Sequence, residues 1–181
     1  MVRIDRYVSY DSEDPTKTEE INYSYDSQGR LSSTEVTGSW GTDLGTFNYN
    51  SNGSVNYIMT YTENNSPTVE ESNLNLQFDN NDNLINASDS EVSVVIEYDN
   101  FNSPFKNIVG LNFHVILFHE LTYANFFSFN NNCTSYVVSD LQGDNYTYNY
   151  DYDYNQDGYP RQIIAKDSDG FESTIAIQYS N

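Results

Sequence analysis

The sequence predicts an all-β protein: an antiparallel meander of about eleven strands in a strongly curved or partly closed, barrel-like sheet, with one short helical insert. Three observations predict it. A turn-centred unit recurs along the 181 residues. Between its copies, apolar and aromatic residues alternate with polar ones. Aromatic residues make up 15% of the chain and hydrophobic residues as a whole only 37%, so the core has to be built largely of rings.

The unit reads aromatic, any residue, aromatic, Asp or Asn, two polar residues, Gly or a substitute, any residue, aliphatic. Its copies begin at Tyr23, Phe47, Leu76, Ile96 and Tyr152, and Ile177-Gln178-Tyr179 stops where a sixth turn would start. Alternating rings share one face of a strand. Asp26, Asn50, Asp79, Asp99 and Asn155 stand where a carboxylate or amide oxygen accepts backbone amides just ahead of it in the turn. Gly29, Gly53 and Gly158 supply the positive φ of a tight hairpin, and Asp82 and Asn102 are the expected substitutes. The aliphatic residue after the turn returns to the buried face.

Further strands are expected at Ile4–Tyr10, Ile21–Tyr25, Val55–Tyr61, Leu74–Phe78, Val92–Tyr98 and Phe171–Tyr179. Tyr146, Tyr148, Tyr150, Tyr152 and Tyr154 form a one-face ladder with Thr147, Asn149, Asp151 and Asp153 opposite. One segment, about 103–130, breaks the rhythm. It is apolar on nearly every side through Val115, Ile116, Leu117, Phe118, Leu121, Phe126 and Phe127, and is expected to be a short buried helix covering an open end or filling a concave face. The whole chain, 1–181, is expected to form a single hairpin-repeat domain.

The Tyr23-Ser-Tyr25-Asp26-Ser-Gln-Gly29-Arg-Leu31 unit resembles the YD repeat of Rhs-type proteins, which wind many such hairpins into β shells. The chain is more similar to small Bacteroidetes cell-surface lipoproteins built from the same hairpins. In those a connector similar to Tyr98-Asp99-Asn100 through Ser103-Pro104-Phe105-Lys106-Asn107-Ile108 follows one repeat, and Tyr154-Asn155-x-x-Gly158-Tyr159-Pro160 is similar to their closing repeat. The resemblance covers most of the chain. It implies a porin-like, curved meander and an exported protein of the bacterial cell envelope, either an outer-membrane lipoprotein or periplasmic. It carries over no activity and no catalytic residues. Met1–Tyr10 does not read as a signal peptide, so an export signal and a lipid-anchor cysteine would belong to a precursor.

The formal net charge is −20, with Lys and Arg together only 7, which excludes a nucleic-acid surface. No apolar run reads as a membrane helix, and the Tyr146–Tyr154 ladder lacks the outward aliphatic band of a membrane strand, so the chain is not expected to span a membrane. The single cysteine, Cys133, allows no intramolecular disulfide and reads as a buried thiol.

Three sets of residues are candidates for chemistry. Trp40 and exposed tyrosines could stack on sugar rings. His119 and Glu120 stand together in the apolar insert as a candidate binding pair. Asp151, Asp153 and Asp157, with Asn155, suggest a calcium loop, although Gln156 and Gln162 stand where an EF-hand places Gly and Glu. Glycoside hydrolysis would need two acids drawn from Glu70, Glu71, Glu97, Glu120 and Glu172, and the sequence pairs none of them. The function these readings favour is a non-catalytic binding or scaffold protein with an unknown surface ligand, glycan being the candidate. It carries no cofactor other than candidate calcium. The alternatives are an enzyme acting on glycans or peptides and a calcium-dependent adhesin.

Overall fold

A computed structural model describes residues 2–10, 18–64, 69–104, 106, 108–109 and 130–179. Its elements are strands: β1 (Val2–Arg3), β2 (Arg6–Tyr10), β3 (Thr18–Tyr25), β4 (Leu31–Thr37), β5 (Gly41–Tyr49), β6 (Val55–Glu63), β7 (Val69–Phe78), β8 (Leu84–Ser88), β9 (Val92–Asn102), β10 (Ile108–Val109), β11 (Asn131–Asp140), β12 (Asn145–Tyr154), β13 (Pro160–Asp167) and β14 (Glu172–Ala176). Twelve of them make an antiparallel meander of linear order, β2 through β9 and then β11 through β14. Among the described residues there is no helix. The chain forms two compact units, Val2–Leu76 and Gln77–Asn181.

The hairpin turns follow one chemical plan. In the first unit, Gly29 N donates to Asp26 O (3.0 Å) and Asp26 N to Arg30 O (2.8 Å), while Asp26 Oδ1 accepts from Gln28 N and Arg30 N (both 2.9 Å). These bonds hold the Asp26 carboxyl below the ordinary carboxylate range, the Arg30 backbone amide contributing most. Asn50–Ser54 repeats the backbone pattern. In the second unit it recurs at Asp79–Asn83, Asp140–Asp144, Asn155–Tyr159 and Asp167–Phe171. The fourth residue always has positive φ, and it is Gly except at Asp82, where φ is 60°. This is a three-residue hairpin loop with a left-handed fourth position. Asp82 is therefore a substitute for Gly, as expected, but Asn102 is not. It lies in β9 and is not among the residues of positive φ. Asp99 accepts from Phe101 N (2.9 Å), but the strand runs on because Asn102 N bonds Gly158 O (3.3 Å).

Just past these turns the strands carry a bulge. Tyr25 opposes Leu31, yet Ser24 opposes Ser33; Tyr154 opposes Pro160, yet Asp153 opposes Gln162. Burial shows the same slip, with Leu31 and Thr34, Leu84 and Ala87, and Pro160 and Ile163 buried at spacings of three rather than two. Pro160 loses nothing there, since a bulge position can forgo its ladder amide. The carbonyl left over at each bulge is filled by a tyrosine hydroxyl from the next strand. Tyr49 donates to Leu31 O, Tyr98 to Leu84 O and Tyr179 to Pro160 O, each at 2.8 Å. At the irregular start of β11, Tyr152 donates to Cys133 O (2.5 Å). By contrast, β6 starts at Val55 with unbroken register to β5, and its partner β7 ends in Phe78, which has no hydroxyl.

Each unit buries one face. In the first, Ile21, Tyr23, Leu31, Val36, Phe47, Val55, Tyr57 and Leu76 are buried, with Phe47 and Tyr57 stacked at 4.6 Å. In the second they are Leu84, Ala87, Val94, Ile96, Cys133, Tyr136, Tyr150 and Ile163. The Tyr146–Tyr154 ladder keeps its expected face, with Tyr148, Tyr150 and Tyr152 opposite Asp167, Ala165 and Ile163 on β13. Most of the insert expected over 103–130 lies outside the described residues. Within it Ile108–Val109 is a strand, and Lys106 N bonds Ser103 O (3.4 Å).

Two predictions test this construction. Tyr49→Phe keeps the ring under Arg30, whose guanidinium sits 4.0 Å from its centre, and deletes only the cap on Leu31 O. It should lower stability by about 1–2 kcal/mol, read from the urea midpoint; an unchanged midpoint would mean that water serves the bulge equally well. The second concerns alkali. Burial pushes Tyr49 and Tyr136 up to about 12, and Tyr23, Tyr57, Tyr98, Tyr150 and Tyr152 are raised by the same cause. Folding therefore favours the neutral phenols. Their contribution is whole below the unfolded value of about 10 and is lost as pH climbs through the folded values. Phenolate absorbance from these residues should rise together with loss of strand circular dichroism above about pH 10. Ionisation of all 17 tyrosines near that pH with an intact spectrum would contradict it.

Candidate functional site

In the second unit a cluster of polar side chains forms where the repeat departs from its pattern. Asp99 replaces a turn residue's role with a longer-range one. Its Oδ1 accepts from Asn132 N (3.2 Å) and Asn132 Nδ2 (3.3 Å), and its Oδ2 accepts from Asn132 Nδ2 (3.2 Å) and the Tyr154 hydroxyl. Asn83 Oδ1 accepts from Asn131 N (3.0 Å), and Asn83 Nδ2 donates to Asp79 Oδ2 (2.9 Å) and Asn131 Oδ1 (3.0 Å). Asn83 and Asn132 are buried. This cluster ties β9 and the turn before β8 to the first residues of β11, and so fixes both ends of the 103–130 excursion. Burial, with the bond to Asp99, raises the Tyr154 phenol. Phe101 stacks on Tyr154 at 4.3 Å, and Tyr154 on Tyr152 at 5.8 Å. The carboxylate is saturated with donors, so its chemistry is anchoring.

Trp40 lies in the first unit, in the connection between β4 and β5. A Cβ on Gly38 would come 2.5 Å from the indole Nε1, so the indole rests directly on glycine backbone. Tyr61 lies beside it, centroids 5.7 Å apart and planes at 39°. Asn64 pins the connection, donating its N to Trp40 O (2.9 Å) and its Nδ2 to Ser39 O (3.0 Å). Asp43 is the register partner of Tyr61 and shares its face.

The remaining candidates are dispersed. Asp151 pairs with Lys166 (3.2 Å) and Asp153 with Arg161 (2.7 Å) on the outward face, while Asp157 is exposed in the next turn. Among the described residues no three His, Cys, Asp or Glu groups are placed to share a metal ion. His119, Glu120 and the Glu70 side chain lie outside the described residues. Glu71, Glu97 and Glu172 face Thr60, Ser135 and Lys166 across the ladder. Cys133 is buried, and burial raises its thiol well above the usual range, the opposite of an activated nucleophile. The Asp99 cluster went unread in the sequence. Its signal is there in the Asn run Asn130–Asn132 after the insert and in the missing Gly after Asp99.

A solved structure, a porin-like protein from Bacteroides vulgatus ATCC 8482, aligns over 97% of this chain and 87% of its own, with a TM-score of 0.60 and 12% identity. The shared fold is thus an all-β porin-like meander. A second porin-like protein, from Bacteroides uniformis ATCC 8492, aligns over 88% and 87% at 14% identity with a TM-score of 0.26, too low to establish a common fold. No protein-family profile and no curated protein matches the sequence.

The cluster yields one prediction. Asp99→Ala strands the Asn132 amides and the Tyr154 hydroxyl away from their acceptor, at a cost of about 3 kcal/mol. Urea denaturation should show that loss, and a midpoint within error of the parent would make the cluster dispensable.

Proposed function

We propose that the chain is a non-catalytic binding or scaffold module of a bacterial cell envelope. The observation that carries this reading is where the reactive side chains are spent. Turn carboxylates accept backbone amides, as at Asp26, Asp79, Asp140 and Asp167. Tyrosine hydroxyls cap bulge carbonyls, and Asp99 anchors the root of the insert. A strand array whose polar chemistry serves its own construction suits presentation of a surface. The fold likeness to a porin-like Bacteroides protein favours the envelope. The resemblance to hairpin-repeat surface lipoproteins favours lipid anchoring or a periplasmic place. No helix among the described residues is long and apolar enough to cross a membrane.

Recovery of the protein from the envelope fraction, with a component of envelope extract retained on the immobilised chain, is the expected result. Turnover of a glycan or peptide in a hydrolysis panel, abolished by substitution of Glu71, Glu97 or Glu172, would replace this reading with an enzymatic one.

A further inference from the structure

The geometry points to a neutral-sugar site on the Trp40–Tyr61 pair, an inference that rests on the binding role proposed above. Two half-buried rings stand 5.7 Å apart, their planes inclined at 39°. An inclined aromatic pair offers apolar faces to the C–H surface of a pyranose, whose hydroxyls point outward to polar neighbours. Polar groups are placed for that: Asp43 stands on the Tyr61 face, and Glu63 and Asn64 follow in the same strand end.

The pair is also preorganised. Gly38 is the floor of the indole, since any Cβ there would collide with Nε1 at 2.5 Å. Gly38 N donates to Gly41 O (3.0 Å), closing the connection, and Asn64 holds it from the neighbouring strand through Trp40 O and Ser39 O. A core tryptophan needs no such backbone clamp. A recognition ring does, because every side chain ordered in advance lowers the cost of binding.

Charge selects among sugars. At net −20 the chain repels uronates and sulfated glycans, and the carboxylates of Asp43 and Glu63 add to that locally. Neutral hydroxyls instead donate to them. The ligand class is therefore a neutral pyranose oligosaccharide.

Trp40 is the only tryptophan, so its emission reports this site alone. Titration of the intact chain with neutral hexasaccharides (gluco-, manno-, xylo- and galacto-configured), beside an oligogalacturonate, is the test. At least one neutral sugar should shift or quench the emission, and the oligogalacturonate should not. Tyr61→Ala should weaken that binding about tenfold, the effect of losing one good ring contact. Trp40→Phe, followed by calorimetry, should keep part of it and Trp40→Ala none, both with native circular dichroism. Silence across all four neutral sugars overturns the proposal, as does equal binding by Trp40→Ala. If envelope material is still retained by Trp40→Ala, the site assignment falls while the binding role stands. If nothing is retained by the parent chain either, both fall.

Discussion

The bond between a tyrosine hydroxyl and the carbonyl exposed by a bulge is the interaction on which the rest of the structure leans. A hairpin turn with a left-handed fourth residue closes cheaply. The bulge that follows at Leu31 and Pro160 does not, because it removes a carbonyl from the ladder. A buried carbonyl without a donor costs more than a made bond gains. Tyr49 and Tyr179 remove that cost from one strand away. Each hairpin is thus completed by the strand of the next, which makes the repeat cooperative and explains why the residue before the turn Asp or Asn is usually Tyr. Where the register is unbroken, as between Tyr49 and Val55, the following strand ends in Phe78 instead.

The same economy accounts for the departure at Asp99. A turn there would have closed locally through a Gly. Instead Asp99 reaches Asn132 and Tyr154, residues far along the chain, and β9 continues to Asn102. Long-range polar contacts of this kind hold the ends of a chain excursion in place, because buried amides are expensive unless each finds its acceptor. The excursion is therefore fixed at its root by Asp99, Asn83 and Asn132.

Acidity and aromatic wealth are two sides of one composition. Rings supply the buried area that few aliphatic residues are present to give, and they place a hydroxyl or ring edge where the sheet meets water. Carboxylates crowd the turns and the outward face, where Asp151 and Asp153 are met by Lys166 and Arg161. Exposed pairs like these add little to stability. What distinguishes Trp40 from the other rings is its setting: glycine beneath, Tyr61 beside, and a connection clamped by Asn64.

Local chemistry decided much of this protein in advance. Period-two alternation and Asp-x-x-Gly spacing determine strand and turn because both act over a few residues, so the hairpins at Asp26, Asn50, Asp79 and Asn155 and the Tyr146–Tyr154 ladder could be read directly. The left-handed place of Asp82 was legible for the same reason. Tertiary structure alone decided that Asn102 stays extended, since its fate depends on Gly158 and on Asn132 accepting the role of partner to Asp99. It alone decided that Trp40 meets Tyr61 over Gly38, three residues brought together by strand register, and that Asp151 and Asp153 face cations on β13. Such contacts depend on which strands become neighbours and with what offset, and no short window of sequence contains that information.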